Sequence, residues 1–326
     1  MNQKSGKVKG CLIAILIVLI IIISCVLAGY FYVKSKFDKI TQKPLDESDL
    51  GIETSANTDI NESDTNKVDV ENITKFVIFG SDSRDEDNYY AGRSDTIIIV
   101  VINNVEKKIN LISIPRDSYV NVPGYGMTKI NHAYAYGQEQ LSIKTINSNF
   151  GLDLTQYITI DFSGLVSSID RVGGVEVTLD QDEVNFINQR VDASNKIAAL
   201  GLVNLNGKQA LVHSRNRYVG NDFTRASRQR AILISLLNKI SKKDVNEILS
   251  LSDDILVNLT TNMDMNKYKD MFLEVAGDRQ EYLKNISSVQ IPSTEYGYDS
   301  MIDGIYYFQF DLDRAKEDFN KYYYFK

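Results

Sequence analysis

Two aspartates and a scatter of arginines are the residues best suited to chemistry in this sequence. Asp82 lies in Gly80-Ser81-Asp82-Ser83-Arg84, directly after the apolar run Phe76-Val77-Ile78-Phe79. Asp95 lies in Arg93-Ser94-Asp95-Thr96, directly before the β-branched run Thr96 to Ile102. Both therefore fall at strand ends, where open α/β sheets bind their ligands. Two carboxylates converging there could hold Mg²⁺, which keeps several waters and takes further ligands from substrate phosphates. Aspartates that merely close turns beside strands give the same pattern, so the pair alone is a weak signal.

The arginines sharpen it. The chain has 24 lysines and only 12 arginines, yet Arg84, Arg93, Arg116, Arg215, Arg217, Arg225, Arg228 and Arg230 gather near these strand ends or in one short stretch. A planar, bidentate guanidinium matches phosphate oxygens better than an ammonium does. In Thr224 to Ile240 the stripe Ile232, Leu233, Leu236, Leu237, Ile240, continued backwards in steps of three and four, passes through Gln229 and Arg225, with Arg228 adjacent. Inward arginines on the first turns of a helix need an anion. Either a phosphate ligand or an internal salt bridge, with Asp222 nearby, would supply it. Arg116-Asp117 after a third strand and Lys129-Ile130-Asn131-His132 before a helix add two more cations. Asp117 could simply cap a turn, and His132 and His213 are expected to be structural.

These residues need a scaffold of alternating elements. Strands are expected at Phe76–Phe79, Thr96–Ile102, Ile109–Ile114, Tyr157–Ile160 and Val175–Thr178. Helices are expected at Gln138–Phe150, Phe162–Ile169, Gly207–Ser214, Thr224–Ile240, Met265–Ala276 and Leu312–Tyr323. The interleaving predicts an α/β fold, a mixed β-sheet flanked by helices in αβα layers. The Asp192 to Leu202 stretch has the character of a variable lid or loop.

Composition narrows the function. A net charge of -7 disfavours nucleic-acid binding, which needs a broad basic field. The two cysteines, Cys11 and Cys25, both sit in an apolar run, so no thiolate chemistry is available to the rest of the chain. Two histidines exclude a multi-histidine metal site.

That apolar run, Cys11 to Val33, is 23 residues without a charge, enough for one transmembrane helix. Lysines flank it on both sides, so charge alone leaves its orientation open. A short tail and a single span suggest a signal anchor, whereas a lipoprotein box ending at Cys25 would leave eight apolar residues unexplained. The expected organisation is a cytoplasmic tail at 1–10, a membrane span at 11–33, a disordered acidic linker at 34–72 and an extracytoplasmic domain at 73–326. The linker assignment rests on Thr41 to Asn72, with nine acids, two lysines and little that could be buried.

In order along the chain, GSDSR, RSDT, SIPRD, KINHAYAYG, DFSGLVSSIDRVGGVEV and LNGKQALVHSRNRYVGNDFTRASRQR resemble the LytR-CpsA-Psr family of Gram-positive cell-envelope proteins. The resemblance covers roughly Ile73 to Ile240. It implies a phosphotransferase that moves a polyprenyl-pyrophosphate-linked anionic glycopolymer, such as a teichoic acid or capsule, onto a peptidoglycan hydroxyl. It also implies Mg²⁺, with Mn²⁺ as a substitute, on Asp82 and Asp95. Arg93 and Arg217 would join these aspartates in catalysis. Arg84, Arg116, Lys129, Arg215, Asp222, Arg225, Arg228 and Gln229 would bind the substrate, with the lipid tail between the sheet and apolar helices such as Phe162–Ile169. A hydrolase acting on the same lipid, or a non-catalytic anchored regulator of the envelope, would carry many of the same residues.

Overall fold

The structure, a computed structural model, describes residues 35, 38–52, 72–81, 92, 94–216, 218, 222–244, 247, 250, 256–264, 266–267, 271, 275 and 277–325, without the side chains of 161–163 and 222–223. It divides into two units, Met1–Lys39 and Ile40–Lys326. Only Ser35, Asp38 and Lys39 of the first are described. Among the described residues no helix is long and apolar enough to cross a membrane, and the expected span at 11–33 lies outside them.

The second unit is built on a seven-stranded mixed sheet. Its strands are β1 (Thr41–Gln42), β2 (Ile73–Ser81), β3 (Ser94–Asn103), β4 (Lys108–Ser113), β7 (Tyr157–Asp161), β10 (Leu259–Thr261) and β11 (Ile286–Gln290), in the order β1-β10-β7-β2-β3-β4-β11. Central β3 is apolar without a break from Ile97 to Ile102 because both faces of the sheet are covered. Alternate residues divide accordingly. Val77, Phe79, Ile97, Ile99, Val101 and Ile112 meet Ile143, Ile146 and Phe150 of α1 (His132–Phe150) and Phe319 and Tyr323 of α7 (Leu312–Tyr323). Phe76, Ile98, Val100, Ile102 and Leu111 face Leu233 and Ile234 of α5 (Asp222–Ser241) and Tyr282 of α6 (Arg279–Lys284). The result is the expected three-layer arrangement.

A second, smaller core stands beside the sheet. It joins α2 (Phe162–Arg171), the ribbon β8 (Val175–Leu179) and β9 (Gly201–Leu205), α3 (Gln181–Asn188) and α4 (Gly207–Ser214). Ile232 and Leu236 of α5 complete it, so this one helix serves both cores. Helix α4 starts where Asn206 and Gln209 cap each other reciprocally. Gly207 follows because a Cβ there would lie 2.3 Å from the Val166 carbonyl oxygen, and only glycine lets α4 approach α2 so closely.

Two expectations about chain segments change. Residues 40–52, assigned to the tether by composition, belong to the domain: β1 pairs with β10, and Ile40 and Leu50 are buried. Lys43 anchors them by an ion pair to the fully buried Glu139, which also accepts hydrogen bonds from Tyr134 and Thr159. The average acidity of the segment conceals the few apolar residues that decide its fate. The Asp192 to Leu202 stretch is also pinned, because Ile197 enters the second core and its backbone exchanges two hydrogen bonds with Asn188. The expected helix Met265–Ala276 lies largely outside the described residues.

Candidate functional site

The sheet collects the site at one end. Strand β2 finishes at Ser81 and antiparallel β3 begins opposite it at Ser94. Parallel β7 ends beside Ser81 at Asp161, and β4 exits nearby towards Arg116. Gly80 pairs with Thr96 and Ser81 with Ser94, so Asp95 is the extra residue of a β-bulge. A bulge bends the strand and re-aims a side chain that regular pleating would fix. A Cβ on Gly80 would meet the Thr96 Cβ at 2.9 Å, and the bare α-carbon lets β2 approach β3 at this point.

Arg116 donates through Nη1 to Asp95 Oδ1 at 2.6 Å and through Nε to Asp117 Oδ2 at 3.2 Å. Asp117, almost wholly buried, accepts from Lys129 Nζ at 2.6 Å through its other oxygen. The Asp117 carbonyl also accepts the Phe308 amide from β13 (Ile305–Phe310), the strand paired with β12 (Gly297–Ile302). Arg225, on the first turns of α5, donates from Nη2 to the Asp95 carbonyl at 3.2 Å. Three cations drawn from three elements thus surround the bulge. Two carboxylates, those of Asp95 and Asp117, hold Arg116 and Lys129, and the bulge residue's backbone carbonyl holds Arg225. Charge-assisted contacts of this kind set guanidinium planes firmly enough to receive phosphate oxygens without reorganisation.

The other expected residues divide into three groups. Arg215 sits at the C-cap of α4, its amide held by the Leu211 and Val212 carbonyls, and Gln229 is half-buried on α5. Arg228 is buried and faces the interior of the protein: its Nε donates to Glu183 at 2.7 Å and its Nη1 to the Asn216 carbonyl at 3.2 Å. The internal partner is thus Glu183 of α3. Asp82, Arg84, Arg93 and Arg217 lie outside the described residues, and Asp222 is described only as the backbone start of α5. The stripe that periodicity ran through Arg225 and Gln229, with Arg228 adjacent, is buried at Arg225 and Arg228 and only half-buried at Gln229.

Sequence reasoning missed three participants. Asp117 was read as a turn cap, although its place between Arg116 and a strand that returns at Lys129 could have signalled an ion-pair hub. Glu183 was overlooked because an acid in the first turn of a helix ordinarily serves as a capping residue; it does so here towards Asp180, as well as pairing with Arg228. Arg230 was noticed without a role. It reaches across to hydroxyls of Ser288 and Ser113, and burial lowers its pKa to about 10.

His213 is buried, as a structural histidine would be, but its Nδ1 has no hydrogen-bond partner among the described residues. It is buried 4.0 Å from Glu183, beyond hydrogen-bond reach, and burial, ahead of the opposing pull of Glu183, lowers its pKa to about 4. Its unfolded-state pKa is near 6.5, so between these values the unfolded chain binds a proton that the folded chain does not. Stability is therefore expected to fall as pH drops from about 6.5 to about 4, by up to about 3 kcal/mol, and to level off below. Thermal unfolding of wild type and His213→Gln across that window checks this, the variant showing a flatter profile.

Fold and site together define a class: a three-layer α/β domain with a bulged aspartate and a cage of arginines and lysine at the sheet end, suited to an anionic phosphate group. The LytR_cpsA_psr family profile matches residues 31–322, and the chain belongs to this family. It is 34% identical over 245 residues to the polyisoprenyl-teichoic acid–peptidoglycan teichoic acid transferase TagU of Oceanobacillus iheyensis, covering 71% of this chain and 69% of that one. It is 29% identical over 296 residues to the TagU of Bacillus mycoides, covering 90% of each. The structure of the LytR-CPS2A-psr family protein YwtF (TagT) with bound octaprenyl pyrophosphate lipid superposes with a TM-score of 0.59 at 25% identity, over 77% of this chain and 90% of that chain.

Proposed function

We propose that this chain is a phosphotransferase that moves an anionic glycopolymer from a polyprenyl pyrophosphate carrier to a peptidoglycan hydroxyl. The observation that carries the reading is the cation cage of Arg116, Lys129 and Arg225 around the Asp95 bulge. The teichoic acid transferase activity for which the TagU relatives are named and the lipid bound by TagT point to a substrate that fits it.

The chemistry follows from the charges. The acceptor hydroxyl oxygen bonds to the phosphorus nearer the glycan. The bond from that phosphorus to the bridging oxygen breaks, and polyprenyl phosphate departs with the bridging oxygen. Positioning and charge neutralisation dominate such transfers, so Arg116, Arg225 and Lys129 orient the pyrophosphate and offset the charge that grows on the leaving phosphate. The hydroxyl proton passes to a carboxylate, Asp95 or Asp82.

Asp95 also suits Mg²⁺. It is a hard oxygen donor at the end of the sheet where the cations gather. A Mg²⁺ held by Asp95 and Asp82 would take its other ligands from water and phosphate, and would add positive charge where the pyrophosphate lies. Arg93 and Arg217 complete the catalytic group in this reading, with Arg84, Arg215, Asp222 and Gln229 around the substrate. In this reading the charge-free apolar run 11–33 anchors the chain in the cell membrane with the domain on the wall side, beside its lipid substrate.

Full-length protein reconstituted in liposomes with lipid-linked polymer and peptidoglycan tests the reading. Polymer covalently attached to peptidoglycan, lost on chelation of divalent ions and restored by Mg²⁺, is the expected result. Release of free polymer at a rate indifferent to peptidoglycan would replace transfer by hydrolysis.

A further inference from the structure

Between Ser118 and Gln138 the only formal charge is Lys129. This 21-residue stretch contains the hairpin β5 (Tyr119–Val122) and β6 (Gly126–Lys129) and the first turn of α1. In a chain that is 24% charged, and directly beside a charged site, such a neutral surface needs a reason. Its exposed side chains are Asn121, Tyr125, Met127 and Tyr136.

The aromatic members are organised. Tyr125, in the turn of the hairpin, and Tyr136, at the end of the first turn of α1, lie nearly parallel with ring centroids 4.3 Å apart, and each remains about half exposed. His132 stands 5.8 Å from the Tyr136 ring and shares a 2.8 Å hydrogen bond with Thr128, the neighbour of Lys129. A track therefore leads from Lys129 through Thr128 and His132 to Tyr136 and Tyr125. The β6 strand alone carries it about 10 Å from the cation cage.

The backbone is bent to present it. After Tyr136 the helix breaks: Gly137 has φ -157° and ψ 22°, and Gln138, a non-glycine, has φ 52° and ψ -142°. Strain of this sort persists only where the surroundings hold it, and Lys43 does so here by donating to the Gln138 side chain at 2.8 Å. Without the break the first turn would continue straight into the rest of α1, and Tyr136 would take a different direction relative to Tyr125.

Resting on the proposed transfer reaction, we propose that this track binds the glycan strand of the acceptor peptidoglycan, its sugar rings stacking on Tyr125 and Tyr136 while its hydroxyl reaches the cage beside Lys129. Charge selects the acceptor over the donor polymer. An anionic polymer would call for cations along its path, and the track has none beyond Lys129. Flat aromatic faces with amide and hydroxyl groups nearby suit neutral N-acetylated pyranoses, whose axial C–H faces stack on rings and whose amides hydrogen-bond.

The test uses the full chain in detergent and in liposomes. Soluble peptidoglycan glycan oligosaccharides are titrated by saturation-transfer NMR, and transfer is measured with acceptor and lipid-linked donor varied separately. Tyr136→Ala and Tyr125→Ala are expected to raise the acceptor KM about tenfold and to weaken oligosaccharide binding in parallel, leaving the donor KM unchanged. Tyr136→Phe, which keeps the ring, is expected to behave as wild type. An unchanged acceptor KM in both alanine variants, or a rise in donor KM alone, overturns the proposal. The binding arm separates the two readings. Wild type that binds the oligosaccharide but transfers nothing refutes the reaction and leaves the track standing if the alanine variants lose binding. Wild type that transfers, with alanine variants binding equally well, refutes the track.

Discussion

Asp95→Asn is expected to lower the rate of polymer transfer by roughly 10²–10³-fold while leaving the protein folded. The substitution is nearly isosteric, and the bulge that aims residue 95 depends on the backbone register between Gly80–Ser81 and Ser94–Thr96, which an amide does not disturb. Three electrostatic functions of the side chain disappear together: its charge opposite Arg116, its oxygen for a metal, and its capacity to accept a proton. The Arg225 contact survives, because it goes to the Asp95 carbonyl. The loss should therefore appear in kcat, with the donor KM little changed. Asp117→Asn provides the contrast. That residue holds Arg116 and Lys129 from behind, so its loss should relax two substrate-facing cations and raise the donor KM more than it lowers kcat. Transfer assays with donor varied at saturating acceptor separate the two patterns. Near wild-type kcat in Asp95→Asn would remove this residue from the chemistry.

How much of this was legible depended on the type of signal. The short apolar run of β2, the β-branched runs of β3 and β4 and the apolar stripe of α5 placed the centre of the sheet and its back helix within a few residues. Short elements escaped: the β5–β6 and β12–β13 hairpins are four to six residues a strand, rich in tyrosine and glycine, and carry no strong alternation. The site was legible as a list of residue types and much less as a set of contacts. Asp95, Arg116, Lys129 and Arg225 do meet at the sheet end, but the bulge that turns Asp95 is a register irregularity between two strands, which no single strand encodes. Partner choice was the least accessible part. Whether an inward arginine faces a ligand or a buried acid depends on which loop packs over it. Glu183 lies 45 positions from Arg228, on a helix that was not anticipated.

Arg228 shows why that distinction matters, and its removal should produce the largest effect on stability. Arg228→Ala, or Glu183→Ala, is expected to cost about 3–5 kcal/mol, because each leaves a buried charge without its partner. Thermal unfolding of the solubilised full chain would show it as a fall in Tm, accompanied by lost activity that resembles a substrate-binding defect. The double variant Glu183→Leu/Arg228→Met separates these causes. Replacing both members of a buried pair by apolar residues of similar volume removes the desolvation cost along with the attraction, and is often neutral or stabilising. If Arg228 acts only through Glu183 and the Asn216 carbonyl, the double variant should recover most of the lost Tm and keep a donor KM near wild type. A double variant with restored Tm but a donor KM raised tenfold or more would place the Arg228 guanidinium on the pyrophosphate, where the family resemblance had put it. Arg228→Lys adds a geometric check, since a single ammonium cannot reproduce the two directed bonds to Glu183 and the Asn216 carbonyl, and should rescue neither stability nor activity in full.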